Sequence, residues 1–153
     1  MNVTARTILL VEDNEDDVFF MEQAKGRAGI QNPMQVAHNG QEAIDYLQGA
    51  GKYTDRSQFP LPFLILLDLK LPLVMGLDVL KWIRERPEFE TVLVVVLTSS
   101  REDRDIDTAY RIGANSYLVK PPTAQKLTEL VKCLGDYWIR QNEPPVHIGE
   151  AVH

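Results

Sequence analysis

The sequence predicts an α/β fold in which five parallel strands alternate with five helices. Short β-prone apolar segments alternate along the chain with segments whose apolar residues recur at helical spacing. One of the β-prone segments, residues 63–67, has five consecutive apolar residues, which is typical of a strand buried on both faces of a parallel sheet. Right-handed crossovers would then place helices on both faces of that sheet.

Each element follows from local signals. The predicted strands are residues 7–11, 34–38, 63–67, 91–97 and 116–119. Asn14 is expected to cap the first helix, which Gly29 ends, and the second helix covers residues 41–47. The third helix runs from near Gly76 to Pro87. Ser100 and Thr123 are expected to cap the fourth and fifth helices.

Length and composition limit the classes of function. A chain of 153 residues with 44% hydrophobic and 25% charged residues is expected to form one globular domain, residues 1–141, followed by a loosely held tail, residues 142–153. The net charge of −6 argues against binding to nucleic acid or an anionic membrane. A single cysteine, Cys133, and no apolar run of membrane-spanning length predict a cytoplasmic protein.

Residues 48–62 form a connection longer than is usual between a helix and a strand. Two interpretations stay open for it. It is either a plain connection or a surface that binds a partner through Tyr53, Arg56 and Phe59.

The residues whose side chains could bind a ligand or react directly follow the predicted strands. Glu12 and Asp13 follow the first strand, Asp68 the third, Thr98 the fourth and Lys120 the fifth. In open α/β sheets ligands bind at the carboxyl ends of the strands. Singly, these residues have simpler explanations as helix caps, a turn or a solvated strand end, but their common position predicts a site.

The residue types indicate the chemistry of that site. Two carboxylates repel each other by roughly 1 kcal/mol at 4 Å in water and by about 4 kcal/mol at an effective dielectric constant near 20. The acids at the strand ends therefore need a cation, and oxygen ligands suit Mg²⁺ or Mn²⁺. A carboxylate, a divalent cation, an ammonium and a hydroxyl are the groups needed to transfer a phosphoryl group to Asp68.

These motifs resemble the receiver domain of two-component response regulators, over residues 7–138. Asp68 is followed by Pro72 after 4 residues and by Gly76 after 8, and Thr98, Tyr117 and Lys120 lie 30, 49 and 52 residues after it. The resemblance implies a flavodoxin-like doubly wound sheet with strand order 2-1-3-4-5. It also implies a signalling switch rather than an enzyme acting on a separate substrate.

The resemblance implies roles for single residues. Asp68 is the phosphoacceptor, and Thr98 and Lys120 assist it. Asp13 and Asp68 bind the metal, the Lys70 carbonyl is a further ligand, and Glu12 acts through water. The Lys120–Pro121 peptide is expected to be cis.

The implied switch links the site to a surface. Phosphorylation draws Thr98 inward, and Tyr117 rotates into the vacated space. This rotation changes the face made by the fourth helix, the fifth strand and the fifth helix.

A narrower resemblance is to stand-alone regulators of bacteriophytochrome-type histidine kinases. It implies such a kinase as partner and a homodimer formed through the same face. Tyr137 and Trp138 either complete the core or contribute to that dimer. Lys70 and Met75 depart from the usual pattern of the phosphoacceptor loop, and Ser99 replaces a smaller residue.

Two other functions have to be weighed against a phosphorylated switch. The first is a receiver-like binding module that no longer uses phosphorylation. The second is a haloacid-dehalogenase-like phosphatase, which normally carries an aspartate two residues after its nucleophile. Lys70 occupies that position here, which argues against the phosphatase.

Overall fold

The computed structural model describes residues 6–146, 148 and 149. Its sheet is parallel with strand order β2-β1-β3-β4-β5, which confirms the predicted fold class and order. The strands are β1 (Thr7–Val11), β2 (Met34–Ala37), β3 (Pro62–Leu67), β4 (Leu93–Thr98) and β5 (Ser116–Val119). All residues of β1, β3 and β4 are buried, whereas the edge strands β2 and β5 are largely half-buried.

Five helices connect and cover the strands. They are α1 (Glu15–Arg27), α2 (Gly40–Gln48), α3 (Gly76–Glu85), α4 (Asp103–Ile112) and α5 (Ala124–Leu134). The predicted caps of α1 and α5 are confirmed, since the Asn14 and Thr123 side chains accept hydrogen bonds from the N–H groups of Asp17 and Lys126. A π-helical segment, Gly135–Gln141, continues α5.

Alternate residues of each central strand face opposite sides of the sheet. One core cluster contains Leu9, Ile65 and Val94 and packs beneath α2, α3 and α4. The other contains Leu10, Leu64 and Val95 and packs beneath α1 and α5. Because both faces of the sheet are covered, the central strands are rigid supports for the residues that directly follow their carboxyl ends.

The start of α4 differs from the prediction. The helix begins at Asp103 with Glu102 as its N-cap residue, and Glu102 makes no side-chain capping bond. Ser100 acts earlier, because its hydroxyl accepts a bond from the Glu102 N–H (3.3 Å) and donates to Asp105 Oδ2 (2.6 Å). The serine therefore stabilises the turn before the helix, a role that local sequence does not distinguish from capping.

The long connection between α2 and β3 is anchored to the fold. Arg56 donates to the carbonyls of Tyr46 (2.7 Å), Leu47 (2.8 Å) and Phe59 (3.2 Å). Tyr53 is only 5% exposed and its ring lies 5.0 Å from that of Phe59. The structure therefore favours the plain connection over a partner surface made of these residues.

Part of the tail also contacts the fold. Ile148 packs against both core clusters, and the Gly149 N–H donates to the Glu88 carbonyl (2.7 Å). Residues 147 and 150–153 of the tail lie outside the described residues. Within the part of the chain that the structure describes, every helix is too short or too polar to cross a bilayer.

The buried Tyr46 predicts a loss of stability at alkaline pH. Burial raises the pKa of Tyr46 to about 12, although the charge of Arg56 opposes the shift. Since the unfolded pKa is near 10, the stabilisation is complete below pH 10 and is lost as pH rises towards 12. We expect the free energy of unfolding in urea to fall between pH 8 and pH 11.5 by about 2 kcal/mol more for the wild type than for Tyr46→Phe. Equal losses would contradict the raised pKa of Tyr46.

Candidate functional site

The register of the sheet assembles the site. Val11 of β1 and Val96 of β4 both lie beside Leu67 of β3, so Glu12 and Asp68 leave adjacent strands at the same level. The Asp68 N–H continues the ladder by donating to the Val11 carbonyl (3.1 Å). On the other side, Thr98 pairs with Val119, and the Lys120 N–H donates to the Thr98 carbonyl (2.8 Å).

Asp68 is held from three directions. Its Oδ1 accepts hydrogen bonds from the Thr98 hydroxyl (2.8 Å) and the Lys70 N–H (3.1 Å). Its Oδ2 accepts a bond from Lys120 Nζ (2.9 Å). Asp68 is 6% exposed and Thr98 is completely buried, so this carboxylate has a fixed orientation with little access to water.

Lys120 is the positive centre of the site. Its ammonium contacts Glu12 Oε1 and lies 2.9 Å from both Asp68 Oδ2 and Asp17 Oδ2. Sequence reasoning missed Asp17, because a carboxylate in the first turn of a helix is explained by the helix dipole alone. The signal that was available is its position in the first turn of α1, which begins only three residues after Glu12.

The charges of the site determine which groups are ionised. Burial raises the pKa of Glu12 to about 7, and the negative charge of Asp68 adds to the shift. Burial acts in the same direction on Asp68, but hydrogen bonding to Lys120, the charge of Lys120 and the bond from Thr98 hold the pKa of Asp68 below its ordinary value. Burial disfavours the Lys120 ammonium, yet its three carboxylate partners raise its pKa. Asp68 is therefore a carboxylate at neutral pH.

Three of the predicted residues are close enough to share one cation. Ligand oxygens of Glu12, Asp13 and Asp68 lie within 4.8 Å of one another, and Asp13 is exposed to solvent. A carboxylate set that is open on one side suits a hard divalent cation, which keeps part of its hydration shell. The donor set therefore fits Mg²⁺ or Mn²⁺. The predicted role of the Lys70 carbonyl as a ligand stays a prediction.

Thr98 and Tyr117 lie on neighbouring strands but have different partners. The Thr98 hydroxyl contacts Asp68, whereas the hydroxyl of the half-buried Tyr117 donates to the Ser100 carbonyl (3.1 Å). The Tyr117 N–H, on the edge strand β5, donates to the Tyr110 hydroxyl (3.1 Å). Tyr117 thus contacts a residue before α4, Ser100, and a residue in the last turn of α4, Tyr110.

The expected cis peptide is not found. The structure has no cis peptide bond among its described residues, so Lys120–Pro121 is trans. The trans preference of a peptide before proline is only about 0.5–1 kcal/mol, so the surrounding packing decides the isomer. The expectation from the resemblance is therefore wrong for this structure.

The loop after Asp68 passes close to the backbone of the site. A Cβ at Gly76 would lie 2.2 Å from the Asp68 carbonyl oxygen, so only glycine fits there. Leu73, which is 81% exposed, has a positive φ of 67°. Met75 is also exposed. Both apolar side chains thus lie exposed in the loop between Asp68 and α3.

A cavity of about 240 Å³ adjoins the site. Phe20 and Met21 of α1 and Leu127 of α5 contribute apolar walls, and Asp68 and Lys120 form part of its lining. Phe20 is itself 43% exposed. The cavity thus lies between α1, α5 and the Lys120–Pro121 loop, beside the phosphoacceptor candidate.

Fold and site together define a class of small doubly wound α/β proteins with an acidic, lysine-containing site at the carboxyl ends of the strands. The family model described as response regulator receiver domain matches residues 8–132. The chain therefore belongs to the receiver-domain family of response regulators.

Two curated relatives match most of the chain. The probable methanogenesis regulatory protein FilR2 of Methanothrix harundinacea is 37% identical over 141 residues, covering 90% of this chain and 86% of FilR2. The response regulator Rcp1 of Synechocystis is 33% identical over 134 residues, covering 88% of this chain and 89% of Rcp1. The Mn²⁺-bound form of Rcp1 has a similar structure, with a TM-score of 0.84 over 92% of this chain and 99% of Rcp1.

Two other solved structures are regulators of phytochrome systems. The phosphorylated cyanobacterial phytochrome response regulator RcpA is 32% identical with a TM-score of 0.86, covering 93% of this chain and 99% of RcpA. The bacteriophytochrome response regulator AtBRR is 39% identical with a TM-score of 0.71, covering 91% of this chain and 99% of AtBRR. The predicted similarity to phytochrome regulators is confirmed.

Removal of the Lys120 ammonium is expected to lower the stability of the fold in a pH-dependent way. In Lys120→Met the buried carboxylates Glu12 and Asp68 lose their counterion, and we expect a loss of about 3–5 kcal/mol at pH 8. Without the ammonium, burial raises the pKa values of both acids in the folded variant, and these acids then destabilise the fold when they are ionised. The deficit should therefore shrink as pH falls from 8 to 5 and the acids become protonated. Urea unfolding without divalent ions tests this.

The control is Lys126→Met, which removes an exposed ammonium from α5 and should change stability by less than about 0.5 kcal/mol. A Lys120→Met variant as stable as this control at pH 8 would show that the ammonium does not hold the carboxylates together.

Proposed function

We propose that this protein is a phosphorylation-dependent switch that accepts a phosphoryl group from a histidine kinase on Asp68. The observation that carries the proposal is the setting of this carboxylate. Asp68 is ionised and nearly buried, is hydrogen-bonded by Thr98 and Lys120, and lies beside the acidic pair Glu12 and Asp13. Such a group is an oriented nucleophile that lacks a hydration shell to displace.

The transfer needs little from the protein beyond position and charge. An Asp68 carboxylate oxygen forms a bond to phosphorus while the bond from phosphorus to the donor histidine nitrogen breaks, and that nitrogen keeps the electron pair. The Lys120 ammonium neutralises phosphoryl oxygens, and the Thr98 hydroxyl donates to one of them. Attack of water on the acyl phosphate later returns Asp68 and inorganic phosphate, so the protein is a switch rather than an enzyme with a separate substrate.

The proposal includes a divalent cation, Mg²⁺ or Mn²⁺, held by Asp13 and Asp68 with Glu12 acting through water and the Lys70 carbonyl as a further ligand. The cation would supply positive charge to the phosphoryl oxygens. The three clustered carboxylates and the Mn²⁺-bound structure of the relative Rcp1 support this part.

The switch would run through Thr98 and Tyr117. Thr98 has one hydroxyl proton, which it now gives to Asp68, and a phosphoryl oxygen would be a stronger acceptor for it. Movement of Thr98 would change the space next to Tyr117, whose hydroxyl bond to the Ser100 carbonyl is a single replaceable contact. The altered surface would be the face of α4, β5 and α5.

The partner that fits best is a histidine kinase of the phytochrome type, because the similar proteins RcpA and AtBRR are response regulators of phytochrome systems. Transfer that is no faster from a bacteriophytochrome kinase than from an unrelated histidine kinase would refute this choice. We place the receiver unit within residues 1–141 and the protein in the cytoplasm, without binding to nucleic acid or membranes.

We also propose a homodimer through the face of α4, β5 and α5. Tyr110 of α4 is 50% exposed and its hydroxyl accepts a bond from β5, Tyr137 of the segment that continues α5 is 56% exposed, and Trp138 packs against the core. Sedimentation showing only monomer at high concentration, with and without a phosphoryl donor, would refute the dimer.

The phosphoacceptor is tested by intact mass. After incubation with Mg²⁺ and acetyl phosphate, we expect the wild type to gain one phosphoryl group and Asp68→Asn to gain none. Chelation of the metal should abolish the gain. Asp78→Asn, which removes an acid from the first turn of α3, serves as the matched control and should still be modified.

Failure of the wild type to gain mass, even under rapid quenching and with a phosphorylated kinase as donor, would refute the proposal. A receiver-like module that binds partners without phosphorylation would then take its place.

A further inference from the structure

Asp17 contacts the central ammonium from a helix rather than from a strand end. It lies in the first turn of α1, where its N–H donates to Asn14 Oδ1 (3.0 Å) and its Oδ2 accepts from Lys120 Nζ (2.9 Å). The capping bond fixes its backbone, so the contact with Lys120 follows from the way α1 begins.

The ammonium of Lys120 has no spare hydrogen-bond donor. An ammonium has three N–H groups, and Lys120 has three carboxylate partners, Glu12, Asp17 and Asp68. A phosphoryl group on Asp68 adds charge close to −2 and three strong acceptor oxygens. For Lys120 to bind one of these oxygens, at least one of its present bonds has to be given up.

Burial decides which bond breaks. The side chain of Glu12 is 3% exposed, so loss of Lys120 would leave a buried carboxylate without its cation. The side chain of Asp17 is 42% exposed, so water can replace the lost bond at little cost. Asp68 is itself the residue that is modified, so of the two partners that phosphorylation leaves as carboxylates, Asp17 is the one that Lys120 can release at lower cost.

We propose that Asp17 is a positioning residue that competes with the phosphoryl group for Lys120. This inference rests on the proposed function of Asp68. In the unmodified protein Asp17 holds the ammonium towards α1, and in the modified protein it returns to solvent. Asp17 thereby lowers the affinity of the site for a phosphoryl group and links the first turn of α1 to the state of Asp68.

The test uses beryllofluoride in the presence of Mg²⁺ as a stable stand-in for the phosphoryl group. We expect Asp17→Asn to bind it about fivefold more tightly than the wild type, a factor that corresponds to roughly 1 kcal/mol. Asp17→Glu keeps the charge and should restore most of the competition. Asp16→Asn removes the same charge from an exposed neighbour in the same turn and should change the affinity less than about twofold.

A purely structural role for Asp17 predicts a different result. Loss of a contact that only stabilised the site would lower both the unfolding midpoint and the affinity for beryllofluoride. Competition predicts that Asp17→Asn lowers or leaves unchanged the midpoint without ligand while the affinity rises.

Three outcomes would overturn the inference. Equal affinities for Asp17→Asn and Asp16→Asn would show that a general charge effect is sufficient, and weaker binding by Asp17→Asn would show that Asp17 orients Lys120 for the ligand. If the wild type binds no beryllofluoride, the proposed function of Asp68 fails and this inference fails with it.

Discussion

The shared ammonium of Lys120 is the interaction on which the site depends. It contacts carboxylates from β1, from α1 and from the end of β3, while its own backbone belongs to the end of β5. Without a cation at this point, Glu12 and Asp68 would face each other in a poorly hydrated cleft, where like charges repel strongly. With it, Asp68 stays ionised although it is nearly buried, and an ionised, oriented carboxylate is the nucleophile that the proposed phosphoryl transfer would use.

The sheet determines that these groups meet. Leu67 has one neighbour on each side, Val11 and Val96, and all three belong to strands whose residues are buried on both faces. A slip of the register by one residue would exchange the side chains that pack beneath α2, α3 and α4 with those that pack beneath α1 and α5, so the packing of both core clusters fixes the level at which Glu12 and Asp68 leave the sheet. The rigidity of the site is thus a property of the core.

Much of this arrangement could be predicted from the sequence, because apolar runs that end in polar residues report both the strand and its functional end. Glu12, Asp68, Thr98 and Lys120 meet as expected. Three features could not be predicted. The partnership of Asp17 with Lys120 needs three-dimensional proximity, the isomer of the peptide before Pro121 depends on packing, and the role of Ser100 depends on where α4 begins.

The most direct test of the account is a pH titration of the metal-free protein in which the side-chain carboxyl carbons of Asp68 and Glu12 are followed by ¹³C NMR. The account predicts that the pKa of Asp68 lies below the ordinary value of an aspartate, because Lys120 and Thr98 bond to its carboxylate, while Glu12 titrates near pH 7. The two groups interact, so both curves are to be fitted together. If Asp68 instead titrated above the ordinary range of an aspartate, as burial without a counterion requires, the Lys120 ammonium would not lie among these carboxylates and the account would be wrong.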